Sequence, residues 1–214
     1  MSRSELRKVF DKFLNEYVIE KNNDFKGNVL AAFIRGNCCA PQIVRNAIGS
    51  TDEVYKIKGS VGQSTWVGVP WLAVMNTEIT ESAQRGVYVV YLLSEDGNTL
   101  YLTLNQGGKD VKESVGNKQI EAEKKLRKRA SEFREMLERA PEFREMLDNK
   151  DFHSDDNIDL RTKGDLGRLY EAGTIFYREY KKGKIPDEER LQKDLQDTVK
   201  IYEHYKMEFK KNCK

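Results

Sequence analysis

The sequence predicts an α+β fold, a small curved antiparallel sheet or partly closed β-barrel surrounded by N- and C-terminal helices. Three observations predict it. Apolar residues recur at helical spacing up to about residue 50 and again from residue 118 onward. Between residues 54 and 107 the period switches to that of strands, with turn residues between the runs. No Ser/Gly-rich linker divides the 214 residues, so one domain is expected over 1–214, with a helical arm at 1–50, a β core at 54–107 and a helical C-terminal part at 118–214.

In the arm, Leu6, Val9, Phe10, Phe13, Leu14 and Tyr17 form one amphipathic stripe. Val29, Leu30, Phe33 and Ile34 begin a second helix that Gly36 and Asn37 stop. Pro41 opens a third, which carries Ile43, Val44, Ala47 and Ile48 and is closed by Gly49. Cys38 and Cys39 fall in the connection and read as buried or half-buried small apolar residues.

The β core starts with Val54 to Ser60, where Tyr55 and Ile57 alternate with Lys56, Lys58 and Ser60. A glycine-punctuated loop, Gly62 to Trp71, holds both tryptophans, Trp66 and Trp71. Leu72 to Met75 is a short apolar strand. Gly86 to Leu93 is rich in β-branched and aromatic residues, and by parity its Tyr88 and Tyr91 lie on opposite faces. Turn chemistry at Ser94 to Asn98 leads into Thr99 to Gln106, where Leu100, Leu102 and Leu104 oppose Tyr101, Thr103 and Asn105.

In the C-terminal part, Ile120, Leu126, Ala130, Phe133, Leu137 and Ala140 form a long stripe. Residues 129–137 (RASEFREML) recur at 139–147 (RAPEFREML), an offset of ten that predicts two consecutive helices by local duplication. A solenoid needs at least three such units. The Ile158/Leu160 alternation predicts a short strand over 155–161. Leu166 to Tyr180 and Asp187 to Phe209 are predicted helices, separated by a Lys/Gly/Pro connection.

Composition excludes several classes. The 37 basic and 35 acidic side chains leave a formal +2, so a nucleic-acid surface must come from local sorting of charge. No apolar run has the length of a membrane span, and the N-terminus lacks the apolar stretch of a signal peptide. Three cysteines, two of them adjacent, predict a reduced, cytoplasmic protein without a disulfide framework. Two histidines and no CxxC argue against structural zinc, and neither a cofactor nor a metal is expected. The chain has no GxxxxGK[ST], HExxH, GxSxG or GxGxxG. An acid-x-base string assembled from Asp187 with Glu208 and Lys210 lies on a predicted helix in a highly charged chain. No catalytic residue is therefore assigned, and the chain is expected not to be an enzyme.

The positive candidates are few. Lys124, Lys125, Arg127, Lys128 and Arg129 form the densest basic run and are phosphate-contact candidates. The alternative is a solvated helix face balanced by Glu121, Glu123 and Glu132. Lys56 and Lys58 are a second candidate. Two indoles in a loop shaped by Gly62, Gly68 and Pro70 suit a stacking pocket for a planar base, and the alternative is that they plug the core. Tyr88 and Tyr101 are further candidate walls. Asn105 and Gln106, with Ser60 and Ser64, are candidate polar groups for the edge of such a base.

The stretch Lys58 to Trp66 (KGSVGQSTW) with Val69 to Val74 (VPWLAV) resembles the signature of the MrcB-like N-terminal domain. Gly86 to Leu93 with Tyr101 to Gly107, and Tyr170 to Tyr177 followed by Ile185-Pro186 and the Leu191 to Tyr202 helix, are similar to it as well. The resemblance runs over roughly residues 5–207. It implies the DNA-recognition module of a McrB-like, modification-dependent (type IV) restriction protein, placed before an AAA+ GTPase that works with a separate nuclease subunit. Modified double-stranded DNA, with methylated cytosine foremost, is the implied ligand, and extrusion of the base into an aromatic pocket is the implied mode by analogy. The chain carries no nucleotide-binding loop, so the motor is expected on a longer chain or in trans. A protein-interaction domain that docks a partner subunit without reading a base is the alternative.

Overall fold

The stripe Leu6 to Tyr17 is buried along its whole length. It winds through α1 (Leu6–Asp11), a π-helical turn (Lys12–Glu16) and α2 (Tyr17–Glu20). The wider turn sits in the middle of the stripe, where Phe13 and Leu14 are both buried. This computed structural model describes residues 5–49, 54–143, 152–155 and 157–212. Helix α3 (Val29–Arg35) is capped by the Asn28 side chain, which accepts from the N–H groups of Leu30 and Ala31. Helix α4 (Ala40–Ile48) has Pro41 in its first turn and ends at Gly49 in the left-handed region. Cys39 between them is half-buried, but Cys38 is exposed, because it lies in the turn that precedes α4 rather than under it.

Five strands follow in the simplest topology, an antiparallel sheet in the order β1 to β5. They are β1 (Tyr55–Ser60), β2 (Trp71–Asn76), β3 (Val87–Leu93), β4 (Thr99–Gln106) and β5 (Thr174–Lys181). The sheet is open: β1 and β5 are its edges and do not pair with each other. Both faces are covered. On one side the leucines of β4, Val74, Val89 and Tyr91 pack under the N-terminal helices and α8 (Glu188–Asn212). On the other, Ala73, Tyr88, Val90 and Tyr101 pack under Ile158, Leu160 and Tyr170. The parity of Tyr88 and Tyr91 is thus realised, one in each core.

Between β4 and β5 run α5 (Lys109–Ser114), α6 (Gln119–Glu138), a 3-10 turn (Pro141–Phe143) and α7 (Asp165–Gly173). Helix α6 buries Ala122, Leu126, Ala130 and Leu137, whereas Ile120 is 67% exposed in its first turn. Of the second repeat copy, Pro141 to Phe143 form the turn, and the remainder of the expected second helix lies outside the described residues.

The predicted helix Leu166 to Tyr180 is a helix only to Gly173, and Thr174–Lys181 is the fifth strand. Thr174, Ile175, Phe176, Tyr177 and Tyr180 suit a strand better than a helix. Gly173 makes the reversal possible: a Cβ there would lie 2.7 Å from Asn105 Oδ1 and 2.9 Å from the Gln106 carbonyl. Among the described residues of 155–161, where a strand was expected, none is in a strand. Instead His153 makes an isolated bridge to Tyr177, and the stretch near Leu160 is held by side chains and by the Glu95 N–H.

Each sheet edge is met at its first residues by an arginine. The Arg45 guanidinium donates to the Tyr55 carbonyl at 2.7 Å, and the Ile34 carbonyl faces Gly59, where no Cβ would fit. At the far edge Arg134 donates to the carbonyls of Thr174 and Ile175. Between α8 and β5 a buried ion pair joins Arg178 and Asp194, each 3% exposed, and Tyr180 donates to the other Asp194 oxygen.

A cation-rimmed aromatic cleft

The loop from Gly62 to Pro70 is pinned from behind. Gly62 adopts φ +111°, and the Val67 N–H returns to the Val61 carbonyl. The Tyr17 hydroxyl donates to the Val67 carbonyl at 2.8 Å, and the Trp66 indole N–H donates to the Asn23 carbonyl at 2.9 Å. The Trp66 ring meets Tyr17 and Phe25 edge-on, at 5.5 and 5.1 Å between centroids. Trp66 therefore anchors the loop to the N-terminal helices.

Trp71, first residue of β2, is half-buried on the opposite side of the sheet. It borders a cleft of about 630 Å³ between the end of β1, the loop, the β2–β3 connection, the start of α5 and the start of α7. Apolar walls come from Val69, Trp71, Leu169 and Tyr170. Four cations, Arg35, Lys58, Lys109 and Lys112, line it against one carboxylate, Asp165. The Asp165 oxygens receive Lys112 at 3.0 Å and Arg168 at 2.8 Å, which holds the carboxyl below its usual range. Burial raises the Tyr170 phenol pKa, so the phenol is neutral.

The candidate residues of the sequence separate into two sets. Trp71, Ser60 and Lys58 line the cleft. Ser64 is exposed and outside its lining. Tyr88 is fully buried on the same side of the sheet, and burial pushes its phenol pKa well up. Its hydroxyl has no hydrogen-bond partner among the described residues. Tyr101 lies farther along that face, bonded to the Asp159 carbonyl and edge-on to Tyr177.

The structure places Asn105 and Gln106 in the interior, outside the cleft lining. The amide nitrogen of Asn105 donates to the Tyr170 carbonyl and Thr174, and that of Gln106 to the carbonyls of Leu126 and Gly173. Both satisfy the buried turn into β5.

The basic run is also apart from the cleft. Lys124 and Lys128 pair with Glu121 and Glu132 on their own helix, and Lys125 donates to Ser114. Arg127 and Arg129 likewise sit on α6, outside the cleft lining. Lys56 pairs with Glu81 at 3.1 Å on the surface.

Sequence reasoning missed Arg35, Lys109, Lys112, Asp165 and Tyr170 as a set, since only the fold brings these positions together. Tyr170 had one signal, its place in a motif of the resemblance. Among the described residues no group of His, Cys, Asp and Glu is placed to hold a metal ion, and no helix is long and apolar enough to cross a membrane.

An open antiparallel sheet wrapped by helices, with an aromatic cleft rimmed by cations, defines the class of this α+β domain. Residues 12–207 match the family described as MrcB-like, N-terminal domain, and the chain belongs to that family. Membership associates it with McrB-type restriction systems. Neither a curated protein nor a solved structure matches it.

Proposed function

We propose that the chain reads duplex DNA for a modified base, methylated cytosine foremost, and so directs a McrB-type restriction system to foreign DNA. The carrying observation is the cleft itself, where Trp71 and Tyr170 supply aromatic surface beneath a rim of four cations and one carboxylate. Its size suits one planar heterocycle with room for a substituent. Extruding a base costs a few kcal/mol, and each aromatic surface it stacks on returns about 1–3 kcal/mol. Asp165 supplies an acceptor of the kind that pairs with the exocyclic amine of cytosine. The rim cations hold phosphates and carry no sequence information.

On this reading the chain binds and does not cut. Nucleotide hydrolysis and cleavage belong to an AAA+ GTPase, on a longer chain or in trans, and to a nuclease subunit, all acting in the cytoplasm. Family membership supports the McrB-type setting.

The test is fluorescence anisotropy at one moderate salt concentration. Matched duplexes would carry cytosine, 5-methylcytosine, 5-hydroxymethylcytosine or N6-methyladenine. Tighter binding to a modified cytosine is the expected result. Equal affinity for all four duplexes removes base reading, and absence of binding removes the DNA assignment.

A further inference from the structure

A second concavity adjoins the cleft. It is a groove of about 600 Å³ between the α3–α4 connection and β1, lined by Arg35, Asn37, Gln42, Arg45, Lys56 and Lys58 with Pro41 and Ile57. Four of these side chains are cationic and none is a carboxylate. Arg35 and Lys58 line both concavities, so groove and cleft adjoin at these two cations.

We propose that this groove seats the phosphodiester backbone of the same strand whose base enters the cleft, an inference that rests on the DNA reading above. A polyanion is the ligand that fits a lining of cations without an acid. The alternation of β1 presents Lys56 and Lys58 side by side on one face. Arg45 is held in place by its bond to the Tyr55 carbonyl, and the Arg35 guanidinium lies 5.7 Å from the centre of the Phe25 ring. Fixed guanidinium groups of this kind are suited to phosphate oxygens. Lys56 exchanges an exposed partner, Glu81, for phosphate at little cost. On α6, by contrast, Lys124 and Lys128 lie among their own helix's glutamates. Because the shared residues stand at the cleft mouth, the phosphates they meet are those flanking the extruded base.

The experiment measures affinity for a modified duplex across a salt series. Removing one phosphate contact changes the slope of log K against log salt by roughly 0.9. Arg35→Ala and Lys58→Ala should each flatten it by about that amount, while Lys124→Ala with Lys128→Ala leaves it unchanged. Uncharged methylphosphonate linkages beside the modified base should weaken wild type several-fold and the Arg35→Ala/Lys58→Ala double variant no further. The same linkages in the complementary strand should cost nothing.

An unchanged slope in the groove variants, with base preference intact, overturns the groove assignment alone. A loss that follows the complementary strand, or both strands equally, overturns the strand assignment. Binding without base preference, but with a slope that still depends on Arg35 and Lys58, overturns base reading and with it the strand assignment, while the groove stays as a backbone seat. Absence of DNA binding overturns both.

Discussion

Trp71, the first residue of β2, and Tyr170 of helix α7 face the same cleft as its two aromatic walls, so β2 and α7 together fix its aromatic surface. Neither residue depends on a mobile loop, so the two aromatic surfaces are in place before a ligand arrives, and little ordering is needed on binding. The two tryptophans of one short segment thereby acquire different duties, Trp66 behind the loop and Trp71 at the cleft.

Trp71→Ala should weaken binding of the modified duplex by about 1–3 kcal/mol, roughly 5- to 150-fold, with little effect on an unmodified duplex. Trp71→Phe should recover part of the loss. Anisotropy titrations of the three proteins check this. Unchanged affinity in a folded Trp71→Ala protein would remove the indole from the site.

Trp66→Ala should act on folding instead. It deletes two edge-on aromatic contacts and the bond to the Asn23 carbonyl, and urea unfolding should show a loss of about 2–4 kcal/mol. The fraction that remains folded should keep its preference among duplexes. A loss of preference without a loss of stability would place Trp66 at the ligand.

Asp194→Ala should be among the most damaging single changes, about 3–5 kcal/mol, because it leaves Arg178 buried without its carboxylate. Replacing both partners, as Arg178→Met with Asp194→Leu, should cost much less than the single change. Denaturant midpoints of the two variants give the comparison.

Glu171 carries a pH-dependent term. Its carboxylate accepts the Leu160 N–H, but burial dominates and raises its pKa. Stability from this group is fully present below its unfolded value of about 4.3 and is lost as pH rises through the higher folded value. Glu171→Gln keeps an acceptor for Leu160 and removes that loss. Its melting temperature relative to wild type should therefore be more favourable at pH 7 than at pH 4. The reverse order in thermal scans would contradict the sign.

Periodicity made much of the scaffold legible. The stripe from Leu6 to Tyr17, the alternation of Tyr55 to Ser60 and the opposite facing of Tyr88 and Tyr91 follow from local spacing, and each is realised. Strand β5 was not legible, because its first five residues are buried on both faces and show no alternation. Ile175, Phe176 and Tyr180 also continue the helical spacing begun at Leu169 and Tyr170. The surroundings of Asn105 and Gln106 were hidden in a different way. A polar pair at a strand end reads as a recognition edge, and only the fold shows that Gly173 brings a chain reversal against it. The cleft's charges were hidden by sequence distance, since Arg35, Lys58, Lys109 and Asp165 belong to four separate elements.

The arginines at the two sheet borders have a consequence for assembly. With Arg45 on the Tyr55 carbonyl and Arg134 on those of Thr174 and Ile175, backbone acceptors at the start of each border strand are already engaged by side chains. A foreign strand therefore meets fewer open acceptors at the start of each border strand, which disfavours pairing there. A companion subunit that grips helices or loops leaves these three bonds undisturbed, whereas one that adds a strand must first displace an arginine.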